Sequence, residues 1–162
     1  MKPNGNVLFF PIHFIAITML FIGGTSLWGC RKSPKIPASV WLEGIGKKSV
    51  KVEVEVAQRK EDRERGLMYR THMASNAGML FVYPVEHNYS FWMKNTYIPL
   101  DIIFISSNFR VVGMVENTIP LSMESYRVEA PSQFILEVNA GFVKKHGIQE
   151  GNRVRFEGID KN

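Results

Sequence analysis

Val50, Val52, Val54 and Val56 alternate with Lys51, Glu53 and Glu55, the cleanest period-two pattern in the chain. Successive side chains of a strand point to opposite faces. The alternation therefore predicts a strand with an apolar face and a wet one. Such a strand needs a core to cover its valines, so β structure is expected to dominate the fold.

The rest of the chain agrees. Val40–Glu43 reads as a short strand before a Gly44-Ile45-Gly46 turn. Gln58–Arg65 is charged, rich in helix formers and stops at Gly66, which predicts a short helix with a solvated face. Met79–Tyr83 reads as a buried strand between loops at 75–78 and 84–88. Two strand-like runs follow, Phe91–Asn95 and Leu100–Ile105, joined by a turn at Pro99. Ile102–Ile105 and Arg110–Glu116 form a predicted hairpin with Asn108 at positive φ. After an irregular stretch with Pro120 and Pro131 come a strand at Phe134–Val138, a helix at Phe142–His146 closed by Gly147, and a strand at Val154–Glu157. The expected fold is mainly β (β-rich α+β): a small antiparallel barrel or sandwich of seven or eight short strands with one or two short helices, and no βαβ alternation.

A chain of 162 residues suits one domain with appendages. Its formal charge is +5, but bases and acids interleave at 51–55 and 59–65, so no face tracks a phosphate backbone and no nucleic-acid partner is expected. Cys30 is the single cysteine, which excludes an internal disulfide and a cysteine-based zinc site. Before it lie Lys2, a mostly apolar Val7–Ile22, small residues at 23–26 and Leu27-Trp28-Gly29-Cys30. That is the layout of a secretory signal peptide over 1–29. An uncleaved membrane anchor is the alternative, and the apolar core is short for one. The Leu-x-Gly-Cys ending resembles the bacterial lipoprotein cleavage box, although Trp28 stands where small residues are usual. The resemblance implies cleavage after Gly29 and lipid modification of Cys30, which would bind the lipid bilayer. Residues 30–39 would then be a tether, kept extended by Pro34 and Pro37, and 40–159 one domain at the cell envelope. Arg31 lacks the aspartate that, in enteric lipoproteins, retains a protein at the inner membrane, which favours an outer membrane where one exists. A monomer is expected.

The motifs, taken in order, are more specific than any one alone. GLMYR (66–70), GMLF (78–81), FWMKNT (91–96), PLDIIF (99–104), LEVNAG (136–141) and a Gly-x-x-x-Gly-x-x-Val ending (147–154) together closely resemble the bacterial and archaeal family called domain of unknown function 192. The likeness runs from about Val50 to Glu157, with Asn152 where the family often has an acidic turn residue. It implies a compact β-rich domain with a helix after an early strand, often exported. It implies no particular reaction.

Several residues could carry chemistry. On a strand over Phe91–Asn95, Trp92 and Lys94 share a face. They could form a pocket wall, indole stacking a planar ligand and ammonium meeting an anion. Alternatively Trp92 fills the core and Lys94 pairs with Asp101 or Glu137. Those two acids sit in apolar strands and could work as a general acid/base pair, as in glycosidases. They could equally be satisfied by Lys94, Arg70 or loop N–H groups. Asn95, Asn139 and Gly141 suit turns, as do Gly66, Gly78 and Gly151. Met68, Met73, Met79, Met93, Met114 and Met123 with His72, His87 and His146 raise a Cu(I) site, but they are scattered, and methionine as core filler is the plainer account. No metal or cofactor is expected. The leading expectation is a binding or accessory module for a small ligand or envelope component, with a site at Trp92, Lys94, Asn95, Asp101, Glu137 and Asn139. The alternatives are an envelope-polymer hydrolase using Asp101 and Glu137, and a scaffold for envelope proteins.

Overall fold

The computed structural model describes residues 37–44, 46 and 48–159. They fall in one compact unit, Pro34–Asn162. The leader, Cys30 and most of the tether lie outside the described residues.

Seven strands and two short helices follow in the order β1 (Ser39–Glu43), β2 (Ser49–Ala57), α1 (Lys60–Arg65), β3 (Ala77–His87), β4 (Leu100–Ile105), β5 (Val111–Val115), β6 (Ser132–Asn139), α2 (Phe142–His146) and β7 (Val154–Glu157). The strands make one curled sheet, a half-barrel, in the order β5-β4-β6-β3-β2-β1-β7. Its two ends are drawn together at a bridge between Arg110 and Arg153. Val111 donates its N–H to Asn152 at 3.0 Å, and Val154 donates to Phe109 at 2.9 Å.

The valine alternation does what its period requires. Val50, Val52 and Val54 turn to a core that also holds Val40 and Leu42 of β1, Leu80 of β3, Ile103 and Ile105 of β4, and Leu136 and Val138 of β6. Val111 and Val154, from the two end strands, join the same cluster, which marks it as the side enclosed by the curl. Phe142 and Val143 of α2 close it. The opposite face carries a second core of Met79, Phe81, Leu100, Ile102, Phe104 and Ile135, covered by Leu67 and Met93 from the connections. This explains why every residue of β4 is buried: each side of that strand meets a core, so its run is apolar throughout apart from Asp101.

Four local expectations need correction. β2 and β3 pair in parallel, Glu53 opposite Ala77 through Ala57 opposite Phe81, with α1 in the crossover. One βαβ unit is thus set into an otherwise antiparallel sheet, because a parallel return needs a long connection and residues 58–76 provide it. β3 runs on through Pro84 to His87; the register slips between Val82 and His87, where the missing proline N–H costs no ladder bond. Phe91–Asn95 is not a strand. Phe91 forms a lone bridge with Tyr126, Met93 donates to Ser122 at 3.0 Å, and Asn95 turns the chain at φ 55. In the β4–β5 hairpin the left-handed residue is Phe109 (φ 56), not Asn108. Its ring packs 5.5 Å from Phe134 and 5.4 Å from Phe156, so core packing outweighs the asparagine preference.

Candidate functional site

The register of β4 against β6 decides the fate of the two acids. Asp101 lies opposite Val138, and Ile102 lies opposite Glu137. Paired residues share a face and neighbours along a strand do not, so the two carboxyl groups leave the sheet on opposite sides. A glycosidase-like pair of Asp101 and Glu137 is therefore excluded.

Asp101 enters the enclosed core and is fully buried. Its Oδ1 accepts the Asn117 N–H at 2.9 Å and its Oδ2 accepts the Val143 N–H at 2.9 Å. One carboxylate thus pins both the turn after β5 and the first turn of α2 to β4. Neither Lys94 nor Arg70 reaches it; Arg70 holds Glu55 through two bonds of 2.6 and 2.9 Å.

Glu137 points the other way and forms the floor of an open cleft of ≈ 580 Å³. It is 5% exposed, and its carboxyl has no hydrogen-bond partner among the described residues. Its strand neighbours opposite are Met79 and Ile102. Burial in that company pushes its carboxyl up to about 8, so the acid holds its proton at neutral pH. The walls are Phe81 and Tyr83 of β3 and Phe91 and Trp92 of the following connection. Phe81 and Phe91 meet edge to face at 5.0 Å, and Tyr83 stacks on Tyr89 at 3.6 Å. Burial also pushes the Tyr83 phenol up.

The helix α1 supplies the third side. None of its residues is buried, yet Lys60, Arg63, Glu64 and Arg65 all line the cleft. Arg63 lies over the Tyr83 ring at 4.8 Å and donates to the carbonyls of Gln58 and Val82. Lys60 pairs with Glu64 at 3.4 Å. Across the cleft, the Lys94 ammonium lies 5.2 Å from the centre of the half-exposed Trp92 ring.

Of the six expected binding residues, Trp92, Lys94 and Glu137 line this cleft. Asp101, Asn95 and Asn139 do not line it, and their side chains bond other protein groups. Asn95 donates to the Tyr69 hydroxyl at 3.0 Å, and its carbonyl accepts the Tyr69 N–H at 2.6 Å. Asn139 donates to the carbonyls of Met73 and Ala74 at 3.1 and 3.0 Å. Both tie connections together. Gly78, expected in a turn, lies inside β3, where a Cβ would meet the Glu137 carbonyl oxygen at 2.6 Å. Arg63, Tyr83 and Phe91 belong to the cleft but were not expected in it. The one sequence signal for Arg63 was its place on a helix with no apolar stripe. Among the described residues no three His, Cys, Asp or Glu side chains gather to hold a metal ion, and Met79 and Met93 are core residues of the outer face.

Comparison with known proteins places this arrangement in a family. A crystallised protein of Sinorhizobium meliloti, provisionally described as a transcription regulator, is 36% identical; the match covers 79% of this chain and 99% of that one, with a TM-score of 0.72. A protein of unknown function from Novosphingobium aromaticivorans is 32% identical over 72% of this chain and 83% of its own, with a TM-score of 0.69. No curated protein matches the chain. The model of the DUF192 family, described as an uncharacterized ACR, matches residues 42–156, and the chain belongs to that family.

Proposed function

We propose that the domain is a small-ligand-binding module, held at the membrane through an acylated Cys30. The observation that carries the binding role is Glu137: a buried acid whose carboxyl has no hydrogen-bond partner among the described residues, at the base of an open cleft with aromatic walls. The carboxyl faces the cleft with no protein donor among the described residues, so a bound molecule, or water in its place, is what completes it. The provisional description of the S. meliloti relative is not carried over, because the cations of α1 alternate with Glu61, Asp62 and Glu64.

The test is a thermal-shift and chemical-shift screen of the unit from Pro34 onward against sugars, peptidoglycan fragments, nucleotides, metal ions and small organic acids. Binding reported by the Trp92 indole supports the module. Silence across every class, with Trp92→Ala and Lys94→Ala altering stability alone, defeats it. Membrane attachment is supported by the signal-like stretch ending in Cys30. Globomycin should then make the precursor accumulate, and Cys30→Ala should release the protein; a wild-type protein found wholly in the soluble fraction sinks this part.

A scaffold role has its own support. Ile119, Leu121 and Met123 are each more than half exposed. The Leu121 N–H bonded to Thr96 and the Met93 N–H bonded to Ser122 hold this loop beside Trp92. Crosslinking from Met123 in cells distinguishes a protein partner from a free loop.

A further inference from the structure

Resting on the ligand-binding reading, we propose that the cleft takes a small organic anion with a flat apolar body. A carbonyl-type acceptor at its inner end would meet the Glu137 carboxyl, and its negative charge would meet Arg65 and Lys94.

Three features of the cleft define that class. The first is the floor. Glu137 stands between Met79 and Ile102 on the flanking strands, and no side chain among the described residues donates a hydrogen bond to its carboxyl. In such a setting the neutral acid is the stable form, and its O–H is a donor waiting for an acceptor. The second is the wall. The edge-to-face Phe81–Phe91 pair and the exposed Trp92 ring line a space that favours a flat apolar body over a branched or heavily hydrated one. The third is the rim. Lys60 is engaged with Glu64, and Arg63 with two carbonyls. Arg65 and Lys94 make no ion pair among the described residues, and both line the cleft. Positive charge therefore exceeds negative at the rim. A cationic ligand, which could otherwise have reached Glu137 as a counter-ion, is repelled there, while an anion is drawn in.

The probes are four benzene derivatives: para-carbamoylbenzoate, which has both the charge and the acceptor; benzamide, which lacks the charge; benzoate, which lacks the amide; and para-(aminomethyl)benzamide, in which the charge is reversed. Titrations at millimolar concentration follow the Trp92 indole and the backbone amides of 79–83. Para-carbamoylbenzoate should bind about fivefold more tightly than benzamide, a ratio that Lys94→Gln with Arg65→Gln abolishes. Glu137→Gln, whose amide still donates, should keep affinity within about twofold, whereas Glu137→Leu should lose about tenfold. Tightest binding by the aminomethyl probe, or loss of binding in Glu137→Gln, means that Glu137 serves a cation; the ligand class is then wrong and the binding reading stands. Equal binding of charged and neutral probes also removes the anion. If no probe binds, the class is wrong outright, and the binding reading falls with it only when the broad screen is silent too.

Discussion

Asp101 and Glu137 sit one residue out of step on neighbouring strands, both almost wholly buried, and they live in opposite conditions. Asp101 faces the enclosed core, where two backbone N–H groups complete it. Glu137 faces the open side, where nothing among the described residues does. The same chemical group is a structural pin on one face and an unfinished contact on the other. Burial alone therefore says little about an acid's role; what matters is whether the protein supplies its partners.

The sharpest way to break this contrast is Asp101→Ala. It strands the N–H groups of Asn117 and Val143 and should cost about 3 kcal/mol in urea unfolding. A loss under about 1 kcal/mol would show that water replaces the carboxylate, and the pin would lose its role. Next comes Gly78→Ala. Its Cβ would meet the Glu137 carbonyl oxygen at 2.6 Å, so β3 and β6 must part beneath the cleft, at a cost of about 2 kcal/mol. Crystallographic or NMR evidence of an unmoved strand pair would contradict it.

Glu137→Gln tests the other side, through pH. The unfolded chain releases the Glu137 proton near the ordinary 4.5, whereas the folded protein keeps it to about 8. Between those values the folded state binds more protons, so wild-type stability falls as pH rises, and this contribution levels off above about 8. The glutamine variant lacks that slope and should gain stability relative to wild type as pH rises from about 4.5 to about 8. Parallel pH profiles for the two proteins would mean that Glu137 is not held neutral. The smallest effect is expected from Lys94→Gln, whose exposed contact with Trp92 is worth about 0.5 kcal/mol. A change beyond about 1 kcal/mol would make Lys94 a structural residue rather than part of the rim.

Features read correctly from the sequence are those fixed within a few residues. The valine alternation specified β2, and the apolar run Leu100–Ile105 specified β4. Gly66 at φ 48 and Gly147 at φ 60 end the helices where positive φ is needed. Misread features depend on distant groups. Phe91–Asn95 has strand composition, but its backbone is claimed by Ser122 and Tyr126. Asn108 suits a left-handed turn, but Phe109 takes it because Phe134 and Phe156 hold its ring. The cleft was half legible for the same reason. Trp92, Lys94 and Glu137 carry unusual chemistry where they stand, whereas Arg63 and Tyr83 become site residues only when β2 and β3 pair in parallel and bring α1 over the sheet.

Alone, the sequence determined most of the strands and both helices, where the helices stop, and that acids at 101 and 137 stand in apolar strands. Those outcomes follow from side-chain period, backbone preference and composition, which act over a few residues. Only the tertiary structure decided which acid is satisfied. That answer turns on a register between strands some thirty residues apart, where a slip of one position would turn one strand over and put both carboxyl groups on the same face.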